Sequence, residues 1–168
     1  MNAAELLMLA AMLAPGAEHA PGAQDVASAI AHAVASAPTH VFDDDDDGIR
    51  PGDVDAAVML VYAWRESGFR VDAVGDGGKA LGVWQLWYTP GWIALDVARA
   101  ARAWHDLARM GARRWPECPL RGLSGGGAAG MRVAATRVQL ARQLLRRLRM
   151  STAATMPAPA AESETVRP

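Results

Sequence analysis

The chain has 168 residues, 51% of them hydrophobic and 21% charged, enough for one compact core. Its 16 glycines and 10 prolines follow no period, which excludes a collagen-like chain, and no apolar run reaches the roughly 20 residues that span a bilayer, so no membrane span is expected. Net charge is −1, yet residues 1–98 carry four basic against fourteen acidic side chains and residues 99–168 thirteen against four; the halves attract, or the basic one faces an anionic partner.

Residues 3–13 (AAELLMLAAML) read as a helix ended by Pro15 and Gly16. No Lys or Arg precedes this apolar run and Glu5 lies within it, which argues against a standard secretory signal. A second helix is predicted from Asp25, as N-cap, to Ser36, with Pro38 as its stop. Five consecutive aspartates, Asp43 to Asp47, then lead to Gly48 and Pro51-Gly52, a solvated loop because adjacent like charges repel. Asp43, Asp45, Asp47 and Gly48 match the first positions of a calcium loop, but Val54 stands where the bidentate glutamate belongs. This loop closes an N-terminal region, residues 1–52, and the body runs from 53 to 150. Residues 151–168, rich in Ala, Pro, Thr and Glu, have no apolar period and read as a disordered tail.

Within the body, Asp53 or Asp55 can cap a helix in which Ala56 to Trp64 (AAVMLVYAW) carry no charge, the pattern of a helix buried on all sides. Polarity returns at Arg65, Glu66 and Ser67, and Gly68 can supply a left-handed terminus. Phe69 to Leu86, with Gly75, Gly77, Gly78 and Gly82, predicts a small hairpin or irregular sheet. Helices follow over Trp92–Met110 and Met131–Met150. The latter sets Ala134, Val138, Ala141, Leu145 and Leu148 on one stripe, with Arg137, Arg142, Arg146, Arg147 and Arg149 largely off it. Of the six tryptophans, Trp64 and Trp104 are expected inside, while Trp87 or Trp92 can line a cleft. Cys118, the single cysteine, excludes an intrachain disulfide and a thiolate metal cluster; His19, His32, His40 and His105 show no spacing that favours a cysteine–histidine pair.

Glu66 is the residue with the most chemical content. A carboxyl at the rim of a core is partly desolvated, which favours its neutral form, and a protonated glutamic acid is what glycosidic cleavage requires. A helix-end glutamate pairing with Arg65 or Arg70 carries the same signature. The run Ala63 to Leu86, AWRESGFRVDAVGDGGKALGVWQL, resembles the catalytic segment of the lysozyme-like superfamily of soluble lytic transglycosylases and goose-type lysozymes. Glu66-Ser67 stands for the Glu-Ser pair that ends a buried helix in that family, and Gly82-Val83-Trp84-Gln85 for its Gly-Leu-Met-Gln element. Leu123-Ser124-Gly125 is the nearest counterpart of a third element facing the glutamate. Trp84 replaces the customary methionine and Leu123 the customary tyrosine.

The resemblance implies a mainly α, lysozyme-like helical domain with a small β or irregular glycine-rich segment, acting on the β-1,4 glycan strands of peptidoglycan. Glu66 would be the general acid and then the base; Ser67 would bond the glutamate or the substrate; Gly82, Val83, Trp84, Gln85, Leu123 and Ser124 would bind sugar. In a transglycosylase the substrate's own 6-hydroxyl attacks, so one carboxylate suffices, whereas inverting hydrolysis needs a second, for which Asp72 and Asp76 are the choices, each also a turn residue beside glycines. No metal, organic cofactor or nucleic acid is implied. The place of action would be the cell wall, in the periplasm, outside the cell or on a phage particle. A non-catalytic wall-binding or structural module that keeps the fold is the alternative.

Other motifs carry less. Gly122-Leu123-Ser124-Gly125-Gly126 fits a hydrolase elbow, but no histidine follows His105 to complete it. Gly77-Gly78-Lys79 lacks the first glycine of a phosphate loop at Ala73 and the hydroxyl residue after the lysine. The arginine-rich last helix suits an anionic surface, but its apolar stripe argues for packing on a core.

Overall fold

The computed structural model describes residues 1–42, 49–125 and 127–155; the acidic loop expected at Asp43–Asp47, with its calcium-loop pattern, and the tail from residue 156 lie outside them. The fold is mainly helical with one small sheet. Helix α1 spans Ala3–Leu13 and opens on a reciprocal cap: the Asn2 side chain accepts the Glu5 N–H at 2.9 Å, and the Glu5 carboxylate accepts the Asn2 N–H at 2.7 Å. Helix α2 spans Ala23–Ala35. Its start is not Asp25, as expected, but the left-handed turn at Gly22, where a Cβ would stand 2.6 Å from the Phe69 carbonyl oxygen. Asp25 lies in the first turn, where a carboxylate complements the helix dipole.

Helix α3 spans Pro51–Ser67 and ends at Gly68 in the left-handed conformation predicted for it. Proline opens the helix with Arg50 as its N-cap, three residues before Asp53, which puts both proposed caps inside it. Asp53 instead meets the Met1 amine at 2.6 Å and Arg50 at 2.8 Å; burial pushes its carboxyl upward, but these two cations outweigh burial and hold it below the ordinary carboxylate range. Val54 to Ala63 are all buried, and α3 is contacted by α1 and α2 and by the two long C-terminal helices.

After α3 comes an antiparallel sheet in the order β1 (Val74–Gly75), β2 (Ala80–Leu81), β3 (Leu86–Trp87), pairing Val74 with Leu81 and Ala80 with Trp87. The helical stretch predicted over Trp92–Met110 is made of two helices, α4 (Gly91–Ala94) and α5 (Val97–Arg114). Asp96 makes the break, its side chain accepting the Arg99 N–H at 2.9 Å as the N-cap of α5. Helix α6 spans Ala128–Thr155, three residues earlier than predicted and five residues into the stretch read as a tail. Its predicted stripe packs inward at Ala134, Ala141, Leu145 and Leu148.

One core joins α1, α2, α3, α5 and α6, so residues 1–42 share their hydrophobic interior with the body. Trp104 is buried as expected, edge-on to Tyr62 at 5.3 Å; Trp64 is half-buried; Trp87 and Trp92 are exposed. Among the described residues no helix is long and apolar enough to cross a membrane.

The hairpin is seated on α4 at Gly82, whose φ is +74° and whose added Cβ would overlap the Ala94 carbonyl oxygen. Gly82→Ala therefore has both a backbone and a packing cost, and a loss of about 2–4 kcal/mol is expected in denaturant unfolding. A variant as stable as the parent would show that this contact is not tight.

Candidate functional site

Glu66 sits in the last turn of α3 with its side chain 28% exposed. It is neither a free carboxyl nor paired with Arg65 or Arg70: its partner is Arg137, from the middle of α6. The same guanidinium lies 4.3 Å from the centre of the Tyr62 ring. Tyr62 precedes Glu66 by four residues, one turn of helix, so the two share a face of α3. The Tyr62 hydroxyl in turn meets the Ser124 hydroxyl at 2.5 Å.

The cluster thus draws together three separate parts of the chain: the end of α3, the segment before α6, and α6 itself. Of the predicted site residues it includes Glu66 and Ser124. Leu123, next to Ser124 in sequence, is half-buried beside the core. Ser67 turns its hydroxyl back to the Ala63 carbonyl at 3.1 Å, closing its own helix.

The remaining predicted residues act differently from expectation. Gly82, Val83 and Trp84 are buried, so their side chains offer no surface to a sugar. Trp84 reaches under the hairpin and donates its indole N–H to the Met59 carbonyl of α3 at 3.0 Å. Its wide ring fills the core between sheet and helix and finds its acceptor there. Gln85, at φ +47°, donates its amide N–H groups to the carbonyls of Gly82 (2.9 Å) and Ala73 (3.2 Å), and its oxygen lies where a Cβ on Gly75 would be. It knits the hairpin together. Asp72 and Asp76 are exposed, and Asp76 takes φ +48° at the hairpin turn, the role of a turn residue.

Next to the cluster is an open depression of about 520 Å³, bordered by Arg65, Arg132, Val133, Thr136, Arg137 and Leu140. A larger concavity, about 920 Å³, is elsewhere, between Phe42, Cys118, Leu120 and the side of α6 bearing Val138 and Arg142. Size alone would favour the latter. Only the smaller of the two is bordered by Arg137, the residue that holds Glu66; both carry arginines on their rims.

Sequence reasoning missed Arg137 and Tyr62. Arg137 reads as lying off the apolar stripe of its helix, although it stands three residues after Ala134 and four before Ala141, within the buried register. Tyr62 was absorbed into an apolar run, although its hydroxyl demands a partner when buried. No protein family, curated protein or solved structure matches this chain.

Burial pushes the Tyr62 phenol above its ordinary value of 10.0, with Ser124 and Arg137 pulling the other way. A raised value means the fold favours the neutral phenol, so this stability is complete below the unfolded-state value and is lost as pH rises through the folded one. In an alkaline absorbance titration, the phenolate step that disappears in Tyr62→Phe should fall above pH 10 and accompany loss of stability. A Tyr62 step below pH 10 would contradict its burial.

Proposed function

We infer that the protein cleaves the β-1,4 glycan strands of peptidoglycan, with Glu66 as the single acid and base, on a lysozyme-like helical scaffold. One observation carries the reading. A partly exposed glutamate at the foot of a buried helix is linked, through Arg137 and then Tyr62, to the Ser124 segment drawn from some sixty residues further along the chain. The order of the elements supports it too: a buried helix, a glycine-rich hairpin, then a return segment ahead of the last helix.

In this reading a protonated Glu66 gives its proton to the glycosidic oxygen as the bond to the anomeric carbon breaks. The substrate's own 6-hydroxyl then attacks that carbon and passes its proton to the Glu66 carboxylate, restoring the acid and leaving a 1,6-anhydro end. The exposed Asp72 and Asp76 have the features of turn residues, which favours this route over one with a second carboxylate. Arg137 must leave Glu66 for the acid to act. Its place on the rim of the depression gives it a second set of anions to engage, the carboxylates of the wall peptides. Tyr62 and Ser124 are positioning residues that fix the arginine and the return segment. Action would be at the cell wall, by whatever route the protein reaches it.

The Glu66–Arg137 pair also favours a second reading, a wall-binding module without catalysis, because a carboxylate held by a guanidinium is engaged before substrate arrives.

Glu66→Gln keeps the side-chain shape, so the variant is expected to melt within a few degrees of the parent while release of soluble fragments from purified walls falls at least about 100-fold. Mass spectrometry of the parent's products should find ends lighter by one water than reducing ends. Unchanged release by Glu66→Gln would remove the catalytic assignment. A parent protein that sediments with walls and releases nothing would establish the binding module instead.

A further inference from the structure

At the other end of α3 lies a second polar cluster, which no sequence motif announces. Asp55, with its side chain fully buried, accepts the backbone N–H of Val41 (2.9 Å to Oδ2, 3.2 Å to Oδ1) and of Phe42 (3.1 Å to Oδ1). Its Oδ2 is 2.7 Å from Nε2 of His105 on α5, whose side chain is 3% exposed. On the other side, Nδ1 of His40 stands 3.6 Å from the same oxygen, beyond hydrogen-bond reach. That nitrogen is itself buried and has no hydrogen-bond partner. The His40 ring is pressed against the backbone of Gly52, where a Cβ would come within 3.0 Å of its Cε1.

We propose that His40 Nδ1, Asp55 Oδ2 and His105 Nε2 form a binding site for one divalent transition-metal ion of the zinc class. One donor atom from each of the three residues lies within 4.8 Å of the other two. Two ligands of one zinc ion, each at about 2.0–2.2 Å, stand roughly 3.0–3.6 Å apart. The His40 to Asp55 separation of 3.6 Å is at the upper edge of that span, and the 2.7 Å contact to His105 needs to widen by only a few tenths. Two imidazoles and a carboxylate suit zinc and its neighbours, whereas calcium and magnesium take oxygen donors. A cation here supplies the partner that His40 Nδ1 lacks and offsets the buried charge of Asp55. The Val41 and Phe42 amides act as the outer shell, fixing the carboxylate so that Oδ2 faces both rings.

The role of such an ion is structural. Asp55 is eleven residues before Glu66 on one helix, about 16 Å along its axis, so the ion is remote from the glycan chemistry. It would clamp residues 40–42, past the end of α2, to α3 and α5. The inference is independent of the glycan-cleaving reading.

The test is calorimetric titration of the chelator-treated full chain with Zn(II), alongside absorption spectra with Co(II). One equivalent of Zn(II) is expected to bind, to raise the melting temperature and to be matched by the visible bands of low-coordinate Co(II); Mg(II) should do neither. His40→Ala removes a ligand that is one-third exposed, so the fold should survive, and Zn(II) affinity should fall at least about tenfold. The double variant His19→Ala/His32→Ala removes the exposed histidines and should leave binding unchanged. A folded parent that takes up no Zn(II), equal affinity in His40→Ala, loss of binding in the double variant, or equal binding of Mg(II) would each overturn the site.

Discussion

The complete burial of α3 is the constraint on which the rest of the structure depends. From Val54 to Ala63 no side chain reaches solvent, so four other helices have to surround this one. Burial on every side confines polar chemistry to the two ends. At the first end, Asp53 and Asp55 are inside but matched, by the Met1 amine and Arg50 in one case and by backbone amides and histidine in the other. At the last, Glu66 emerges half-exposed at the rim. An unmatched carboxylate at either end would be expensive, and the neighbours are placed accordingly.

The two ends solve this problem with different partners. The Asp55 carboxylate is fully buried and surrounded by backbone amides and imidazoles, which is how a carboxylate is held still. Glu66 is met by one long arginine that also lies on a tyrosine face and borders an open depression, an arrangement that can exchange partners. Tyr62 connects this end to Ser124, so the return segment before α6 is tied to the same turn of helix that carries the glutamate.

Much of the fold was legible in local pattern. The uncharged run Ala56–Trp64, Gly68 as its stop, the glycine-rich hairpin and the apolar stripe from Ala134 to Leu148 all read correctly, because periodicity and backbone preference act within a few residues. Boundaries failed where a distant contact or a better local device decided them. Gly22, pressed against the Phe69 carbonyl, starts α2 ahead of Asp25; Pro51 starts α3 ahead of both aspartates; Asp96 sets the division between α4 and α5.

The sequence by itself determined that a buried helix ends in a glutamate, a serine and a left-handed glycine, since each of these is a property of neighbours along the chain. Tertiary structure alone decided who meets that glutamate. Arg137 is 71 residues away; its spacing from Ala134 and Ala141 turns it inward, but only the packing of α6 on α3 sets it against Glu66. Likewise the meeting of His40, Asp55 and His105 depends on α2, α3 and α5 converging, and spacings of 15 and 50 residues carry no period that a single chain could reveal. Side-chain chemistry is written residue by residue, but proximity between distant residues is set by how helices pack to exclude water.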